Sequence, residues 1–527
     1  MLQERVFRVL AKVIFLMTCL LSTMDTHLFV YPSLSRYLLM EVCILALTFI
    51  TILYKIANRD EFRLSRISLF IVLWVAYIAI HAFVLRPGEH YRVYYLCITL
   101  MLIIVLAETL RCRLLSRVVI EAVLLLTAVI NLIYILGQCT GIVESGNPFF
   151  GVTGCNENPT VTAMFLVGCI PMILAGLKKP KLQIIYTILL ACTVLGIVLL
   201  RCRTAYIGAT IEVCILLTLH FRDRLKPFLK HWSIVATTVI GVAVLAVVGG
   251  NGLYKMKKDS ADGRLLIWKL SATMIAEKPM GYGYGLFEKN YNLRQADYFA
   301  HEKHTDTEER NADFVYMPYN DYLEQGVEGG IPGMFFLIMF FFIIIRAAIR
   351  QRQREATAVL CAFAVMSMFN FVYTSIAPWM LLICYSSFVI DKYHEMACIH
   401  LSKHILSIFL FSIFFIISFK VFEITQAQLK LKRLVVQAPY VDDIKYAEIE
   451  KLISTSEAFW THRALNCMKK EDYNAALANL TYARNYSSSP ILFRMEVYCY
   501  ERTKIISPEG LLDTLSNMMP IKYLLNR

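Results

Sequence analysis

"YMPYNDYLEQGVEGGIPGMFFLIMFFFIII", Tyr316 to Ile345, decides the fold class. Its first half is polar, with Asn320, Asp321, Glu324 and Gln325. Gly329, Gly330 and Gly333 follow, and Phe335 to Ile345 carries no charge. A glycine-rich turn leading into an uncharged apolar run reads as a helix entering a membrane. The polar half then stands at the water–lipid boundary, where Tyr316, Tyr319 and Tyr322 fit interfacial aromatics.

The pattern recurs along the chain. Of its 527 residues 57% are hydrophobic and 18% charged, and the mean hydropathy is +0.56. A soluble domain cannot hide that much apolar surface, so the fold class is an all-α polytopic membrane protein. Candidate spans centre near residues 16, 46, 76, 101, 127, 168, 191, 211, 241, 338, 366, 384 and 413. Their number is twelve or thirteen, depending on how Phe371 to Ile390 divides. The first, Val9 to Met24, follows Arg5 and Arg8 without a small-residue cleavage site and reads as a retained span.

Charge sets the expected orientation. Basic residues crowd alternate short connections, such as Arg5/Arg8/Lys12, Lys55/Arg59/Arg63/Arg66, Arg111/Arg113/Arg117 and Arg222/Arg224/Lys226/Lys230. The opposite connections hold only Arg36, Arg86, Arg92, Arg201 and Arg203. The positive-inside rule puts the amino terminus in the cytoplasm, and thirteen spans put the carboxyl terminus outside. The expected divisions are nine spans over residues 1–250, an outer loop over 251–330, the last three or four spans over 331–422, and an outer tail over 423–527. The net charge of +13 is explained by these membrane-flanking clusters rather than by a nucleic-acid partner.

Several residues stand out from the apolar background. Arg201 and Arg203 interrupt nearly continuous apolar sequence on the side that avoids positive charge. A guanidinium there is either an interface residue or a grip for phosphate oxygens, which its fork matches. Glu212 lies within the same span and is either functional or paired with Asn131, Asn370 or a tyrosine. In the outer loop, Arg264, Ile267, Trp268, Met274 and Ile275 recur at helical spacing, which predicts an amphipathic helix lying against the membrane. Pro279 ends it, and Gly281, Gly283 and Gly285 allow a turn where backbone can approach a ligand. The cysteines lack metal-ligand spacing, and Cys139 with Cys155 and Cys467 with Cys499 are the pairs to test for disulfides. In the tail, Trp460, Tyr473, Ala476, Leu480 and Ala483 fit either a tetratricopeptide-like helix pair around 456–490 or an ordinary helical hairpin.

"CRTAYIGA" (Cys202–Ala209), "GRLLIWKLSATMIAEKPMGYGYGLF" (Gly263–Phe287) and "YNDYLEQGVEGGIPG" (Tyr319–Gly333), in this order and membrane placement, resemble the O-antigen ligase and glycan polymerase superfamily. "GCNENPTVTAMFL" resembles that family's Asn-Pro segment, matching Asn156, Asn158 and Pro159. The resemblance covers roughly Gly137 to Ile390. It implies a bacterial inner-membrane enzyme that transfers a glycan from undecaprenyl diphosphate to an acceptor on the periplasmic side. The acceptor is a lipid A core, a protein hydroxyl or, for a polymerase, another lipid-linked glycan. The transfer inverts the anomeric centre and needs no metal, nucleotide or other cofactor.

By the same resemblance Arg203 and Arg264 are the catalytic arginines, joined by Tyr319 and Asn320 of the third motif. Arg201, Asn158, Trp268, Gly283, Asp321 and Glu324 are the expected substrate-binding residues. The family commonly has histidine where this chain has Tyr319. A phenol donates a hydrogen bond well but is a poor general base at neutral pH. Tyr319 then orients the acceptor or a phosphate oxygen, and the base is sought among Asp321, Glu324, His301 and His304. A transporter of lipid-linked glycan is the reading of a different class. It calls for paired halves and midplane charges, and the chain shows no internal repeat and one deep carboxylate, Glu212.

Overall fold

A computed structural model of the chain describes residues 2–23, 28–58, 60, 65–85, 88–221, 258–392, 403–436, 441–504 and 510–520. Among these residues every regular element is helical. The bundle is built from α1 (Leu2–Leu21), α2 (Pro32–Ala57), α3 (Arg66–Ile80, continued by a π-helical turn to Leu85), α4 (His90–Arg111), α5 (Arg117–Cys139) and α6 (Pro159–Gly176). It continues with α7 (Gln183–Leu199) and α8 (Arg203–His220). The helices α9 (Lys258–Glu277), α10 (Phe287–His301) and α11 (Asp306–Asn311) form the loop region. The chain returns to the bundle with α12 (Asp321–Arg350), α13 (Arg354–Phe369), α14 (Ile376–Asp391) and α15 (Lys403–Val436). The tail adds α16 (Asp443–Ile453), α17 (Glu457–Lys469), α18 (Tyr473–Ala483), α19 (Pro490–Thr503) and α20 (Leu511–Met518).

The chain is an all-α polytopic membrane protein. Among the described residues eight helices are long and apolar enough to cross a membrane, and α14 is a shorter apolar one. Helices stand at every expected span except the ninth, near residue 241, which lies outside the described residues together with the basic cluster Arg222 to Lys230. α14 is buried from Ile376 to Ile390 and forms the centre. α7 exposes Ile184, Ile185, Ile188 and Leu195, as a lipid-facing helix does. Close crossings rely on missing side chains. A Cβ on Gly168 would meet the Phe363 ring, and one on Gly208 would meet Met366.

Paired charges gather toward the two ends of the bundle, while Glu41 and Glu212 are buried within α2 and α8. At one end Lys55, Glu108 and Arg111 form a buried ionic cluster, and Arg111 Nη2 donates to the Ile390 carbonyl at 2.8 Å. At the other end Arg92 pairs with Glu324 at 3.2 Å. The α9–α11 region and the tail gather at this second end.

Here α12 departs from the sequence reading. The polar stretch expected to be a turn is the first part of a helix, capped by Asn320 and kinked at Gly330 (φ 70°, ψ −173°). Pro332 has no N–H, so the carbonyl of Glu328 loses its helical donor. Gly283 N–H supplies one at 3.0 Å. Tyr282 N–H reaches the Val327 carbonyl at 2.8 Å, Ile331 N–H donates to Pro279 at 2.8 Å, and the Tyr77 hydroxyl donates to the Gly329 carbonyl at 2.5 Å. The segment 279–283 thus completes the broken ladder, and the fit is backbone on backbone. A Cβ on Gly281 would strike the Glu328 carbonyl, and one on Gly330 the Pro279 carbonyl. The glycine turn therefore serves the kink, and the Gly283 amide expected to approach substrate is already engaged.

Two further expectations change. The apolar face of α9 is covered by protein, since Leu266, Ile267, Leu270, Met274 and Ile275 share a core with Phe287, Tyr291, Tyr298 and Val327. Its partner is its own loop region rather than lipid. Cys139, Cys155, Cys467 and Cys499 are free thiols, so neither disulfide forms. The tail packs as expected for helices brought together by small residues. Ala464, Ala476 and Ala483 are fully buried at the α17–α18 contact, and Trp460 stacks on Tyr482 with centroids 4.5 Å apart. The tail is anchored to the rest. Gln295 of α10 donates to the Met518 carbonyl at 2.6 Å, and Ser488 Oγ meets Glu288 at 3.0 Å.

Candidate functional site

Four segments distant in sequence meet beside the start of α12. Arg264, near the start of α9, donates through Nη1 to the Phe369 carbonyl at 2.7 Å. Its guanidinium carbon lies 4.8 Å from the centroid of the Tyr319 ring, a cation–π contact. Trp268, one turn along α9, donates to the Pro318 carbonyl at 3.0 Å and leans on Phe369 with ring centroids 6.0 Å apart. Phe371 meets the Tyr319 ring edge-on at 5.7 Å. Asp321 Oδ2 accepts from the amides of Val372 at 2.9 Å and Tyr373 at 3.3 Å, which pins the connection after α13 to α12.

Arg203 is the first residue of α8, and the segment it opens joins the same region. Asn370 donates to Oγ1 of its neighbour Thr204 at 3.2 Å. Burial holds the Arg264 guanidinium below the ordinary arginine value, and the nearby charge of Arg203 adds to the depression. The group is still a cation at neutral pH. Among the described residues no carboxylate pairs with Arg264. A half-buried guanidinium that no described carboxylate neutralises, within range of a second cation's charge, makes a place suited to an anion.

Other expected residues have structural duties. Asn320 Oδ1 accepts from Tyr322 N–H at 3.0 Å and Leu323 N–H at 3.1 Å, an N-cap that leaves its side chain occupied. Asn158 caps α6 by accepting from Thr160 N–H at 2.9 Å. Tyr319 takes a left-handed backbone (φ 52°), which aims its ring at Arg264. Arg201 is exposed, also left-handed (φ 49°), and no described contact ties it to the cluster. Glu212 is fully buried and its carboxylate oxygens have no hydrogen-bond partner, while Asn131 and Asn370 bond elsewhere. His301 meets Asp297 at 3.0 Å and His304 the Glu302 carbonyl at 3.1 Å, so both are held within their own turns.

A cavity of about 710 Å³ lies next to the arginine cluster, with Phe371 in its wall. It is bordered by the outer parts of α2, α4, α10 and α12, by the Asn-Pro segment, and by α15 and α17 of the tail side. Of the expected residues Asn158 and Glu324 line it; Arg203, Arg264, Trp268, Tyr319, Asn320 and Asp321 do not. Glu324 is held by Arg92, whose guanidinium lies over the Tyr373 ring at 5.4 Å. Glu89, Glu157, Glu288, Glu328 and Glu457 also line the cavity, and the sequence reading missed them. Glu328 lies one turn after Glu324 in the motif Tyr319–Gly333 and was passed over; the others come from separate segments with no shared spacing.

Residues 188–338 match the family model described as O-antigen ligase. None of the curated proteins compared with the chain matches it. The matched segment contains Arg201, Arg203, Arg264, Trp268 and the whole stretch from Tyr319 to Gly333. It runs from within α7 through the loop region to the middle of α12, and over these residues the chain is similar to the O-antigen ligase superfamily.

Proposed function

We propose that the chain is a membrane glycosyltransferase that moves a glycan from undecaprenyl diphosphate to an acceptor hydroxyl on the periplasmic side of a bacterial inner membrane. The acceptor is a lipid A core or a protein. In this reading the amino terminus is cytoplasmic, and the loop region and tail are periplasmic. The observation that carries it is Arg264, held by the Phe369 carbonyl and the Tyr319 ring without a carboxylate partner among the described residues, within the segment that matches the O-antigen ligase family model.

The acceptor oxygen attacks the anomeric carbon from the face opposite the phosphate. The carbon–oxygen bond to the diphosphate breaks, and its electron pair leaves with the diphosphate. Inversion follows from that single displacement. Charge grows on the leaving group, and fixed guanidinium groups stabilise it more in the transition state than in the ground state. Arg264 is held ready by the Phe369 carbonyl and the Tyr319 ring, so little reorganisation is needed when the bond breaks. Tyr319 acts as a positioning group for Arg264 rather than as the base. The proton of the attacking hydroxyl goes to Glu324, which lines the cavity, whereas Asp321 is engaged by two backbone amides.

The test is Arg264→Ala in the native host at matched protein level. The proposal expects loss of surface glycan with lipid-linked precursor kept on the outer leaflet. Precursor trapped on the inner leaflet marks a transporter and contradicts it. Loss of long chains with single units still displayed marks a polymerase of the same superfamily.

A further inference from the structure

We infer that the cavity between the bundle and the tail is a saccharide-binding chamber, selective for hydroxyl-rich sugar units that carry no acidic group. The inference rests on the transferase reading and gives it a substrate class.

Three observations carry it. The first is volume: about 710 Å³, in a half-open cleft walled by segments from the bundle, the loop region and the tail, is in the range of ligand sites. The second is acceptor excess. Glu89, Glu157, Glu288, Glu324, Glu328 and Glu457 all line it. Glu328 is 2% exposed and Gln428 4% exposed, and both line the chamber. Glu328 Oε2 and Gln428 Oε1 have no hydrogen-bond partner. A buried polar atom without a partner is costly, and the Gln428 amide oxygen and an ionised carboxylate oxygen can only accept. Sugar hydroxyls or an amino-sugar ammonium supply the missing donors.

The third is the aromatic lining. Tyr31, Tyr37, Tyr91, Tyr316 and Tyr486 come from three regions of the chain. Tyrosine offers an apolar ring face to a sugar ring and a hydroxyl to its edge. Arg36 and Arg92 are the basic residues of the lining, and both have partners. Arg36 donates to Asn156 at 3.0 Å and Arg92 to Glu324 at 3.2 Å. Burial lifts Glu89, Glu288 and Glu457 above the usual carboxylate range, and for Glu89 the charges of Glu457 and Glu328 raise it further. The crowded chamber thus disfavours further negative charge, which an acidic sugar or a diphosphate would add and a hydroxyl or ammonium donor would not. The lipid diphosphate is left to the arginine cluster on the other side of Phe371.

The full-length protein in detergent would be titrated with chitotriose, with the glucosamine trimer and with trigalacturonic acid, read by saturation-transfer NMR. Chitotriose and the amino trimer should bind, and the acidic trimer about tenfold more weakly or worse. Glu288→Gln with Glu457→Gln, checked for monodispersity, should weaken the amino trimer by about tenfold. Hydrogen exchange on the unaltered protein is a second reading: chitotriose should slow exchange in 456–461 and 486–491. Equal binding of the acidic trimer, no binding of any trimer, unchanged binding by the double variant, or unslowed exchange in those segments overturns the inference. Its failure is separable from that of the transferase reading. Arg264→Ala should abolish transfer and leave this titration unchanged. If it abolishes transfer while no trimer binds, the transferase reading stands and the chamber falls.

Discussion

The arginine cluster and the carboxylate chamber share a wall at Phe371 and are built in opposite ways. The cluster holds Arg264 with a carbonyl and an aromatic face, which fix a guanidinium without neutralising it. The chamber gathers six carboxyl groups, of which Glu324 pairs directly with Arg92. Cationic side chains predominate on one side of this phenylalanine and acidic ones on the other. In the transferase reading proposed above, the diphosphate falls to the cations and the sugar hydroxyls to the acceptors.

The largest effect that could break this contrast is at the cations. Arg203→Ala and Arg264→Ala should each lower transfer by about 10²–10³-fold, the scale for removing one preorganised stabiliser of a developing anion. The double variant should fall short of the product of the two, because both act on one diphosphate. Multiplicative losses in single-turnover rates would separate the two arginines into different sites.

Next comes the hinge that both regions share. Gly330→Ala should destabilise the protein by about 1–3 kcal/mol, since it forces a side chain into a strained backbone conformation and against the Pro279 carbonyl. Thermal unfolding in detergent checks this, and an unchanged midpoint would mean that the kink relaxes freely. At Tyr319 the ring matters more than the hydroxyl. Tyr319→Phe should keep transfer within about threefold, whereas Tyr319→Ala should cost about tenfold through loss of the cation–π contact. A collapse of activity in Tyr319→Phe would make the hydroxyl a participant in the chemistry.

The smallest effect lies away from both regions. Burial alone would raise the Glu308 carboxyl, but bonds from Lys269 and Thr305 hold it at about 2, below the ordinary 4.5. A depressed value contributes stability above the ordinary range, and that contribution is lost as pH falls from 4.5 toward 2. Hydrogen exchange over 258–320 should therefore speed up across that window, and Glu308→Gln should flatten the dependence. The Lys269 side chain is half exposed, so the change is modest.

The span pattern was legible because an apolar run long enough to cross a bilayer is a local property, and helices stand at the expected positions outside residues 222–257. Arg203 stood out as a charge in apolar sequence and Arg264 by its place on a helical pattern, and the resemblance gave both their catalytic role; the Phe369 carbonyl and Tyr319 ring that hold Arg264 are tertiary contacts. The polar start of α12 was misread because Gly329, Gly330 and Pro332 look like a turn. Whether a chain turns or kinks there depends on donors brought from 279–283, some fifty residues upstream. The chamber was illegible for the same reason. Glu89, Glu288 and Glu457 are single acids in unrelated segments, and only the docking of the tail on α10 and α2 makes them neighbours.

The central claim is that Arg264 stabilises a departing diphosphate. The direct measurement is single-turnover transfer from a radiolabelled undecaprenyl-diphosphate glycan by the purified full chain in nanodiscs, comparing the unaltered protein with Arg264→Lys and Arg264→Ala. The alanine variant should lose about 10²–10³-fold and the lysine variant should recover part of that, because charge returns without the two-pronged geometry. A folded Arg264→Ala protein that transfers glycan at the unaltered rate would contradict the account.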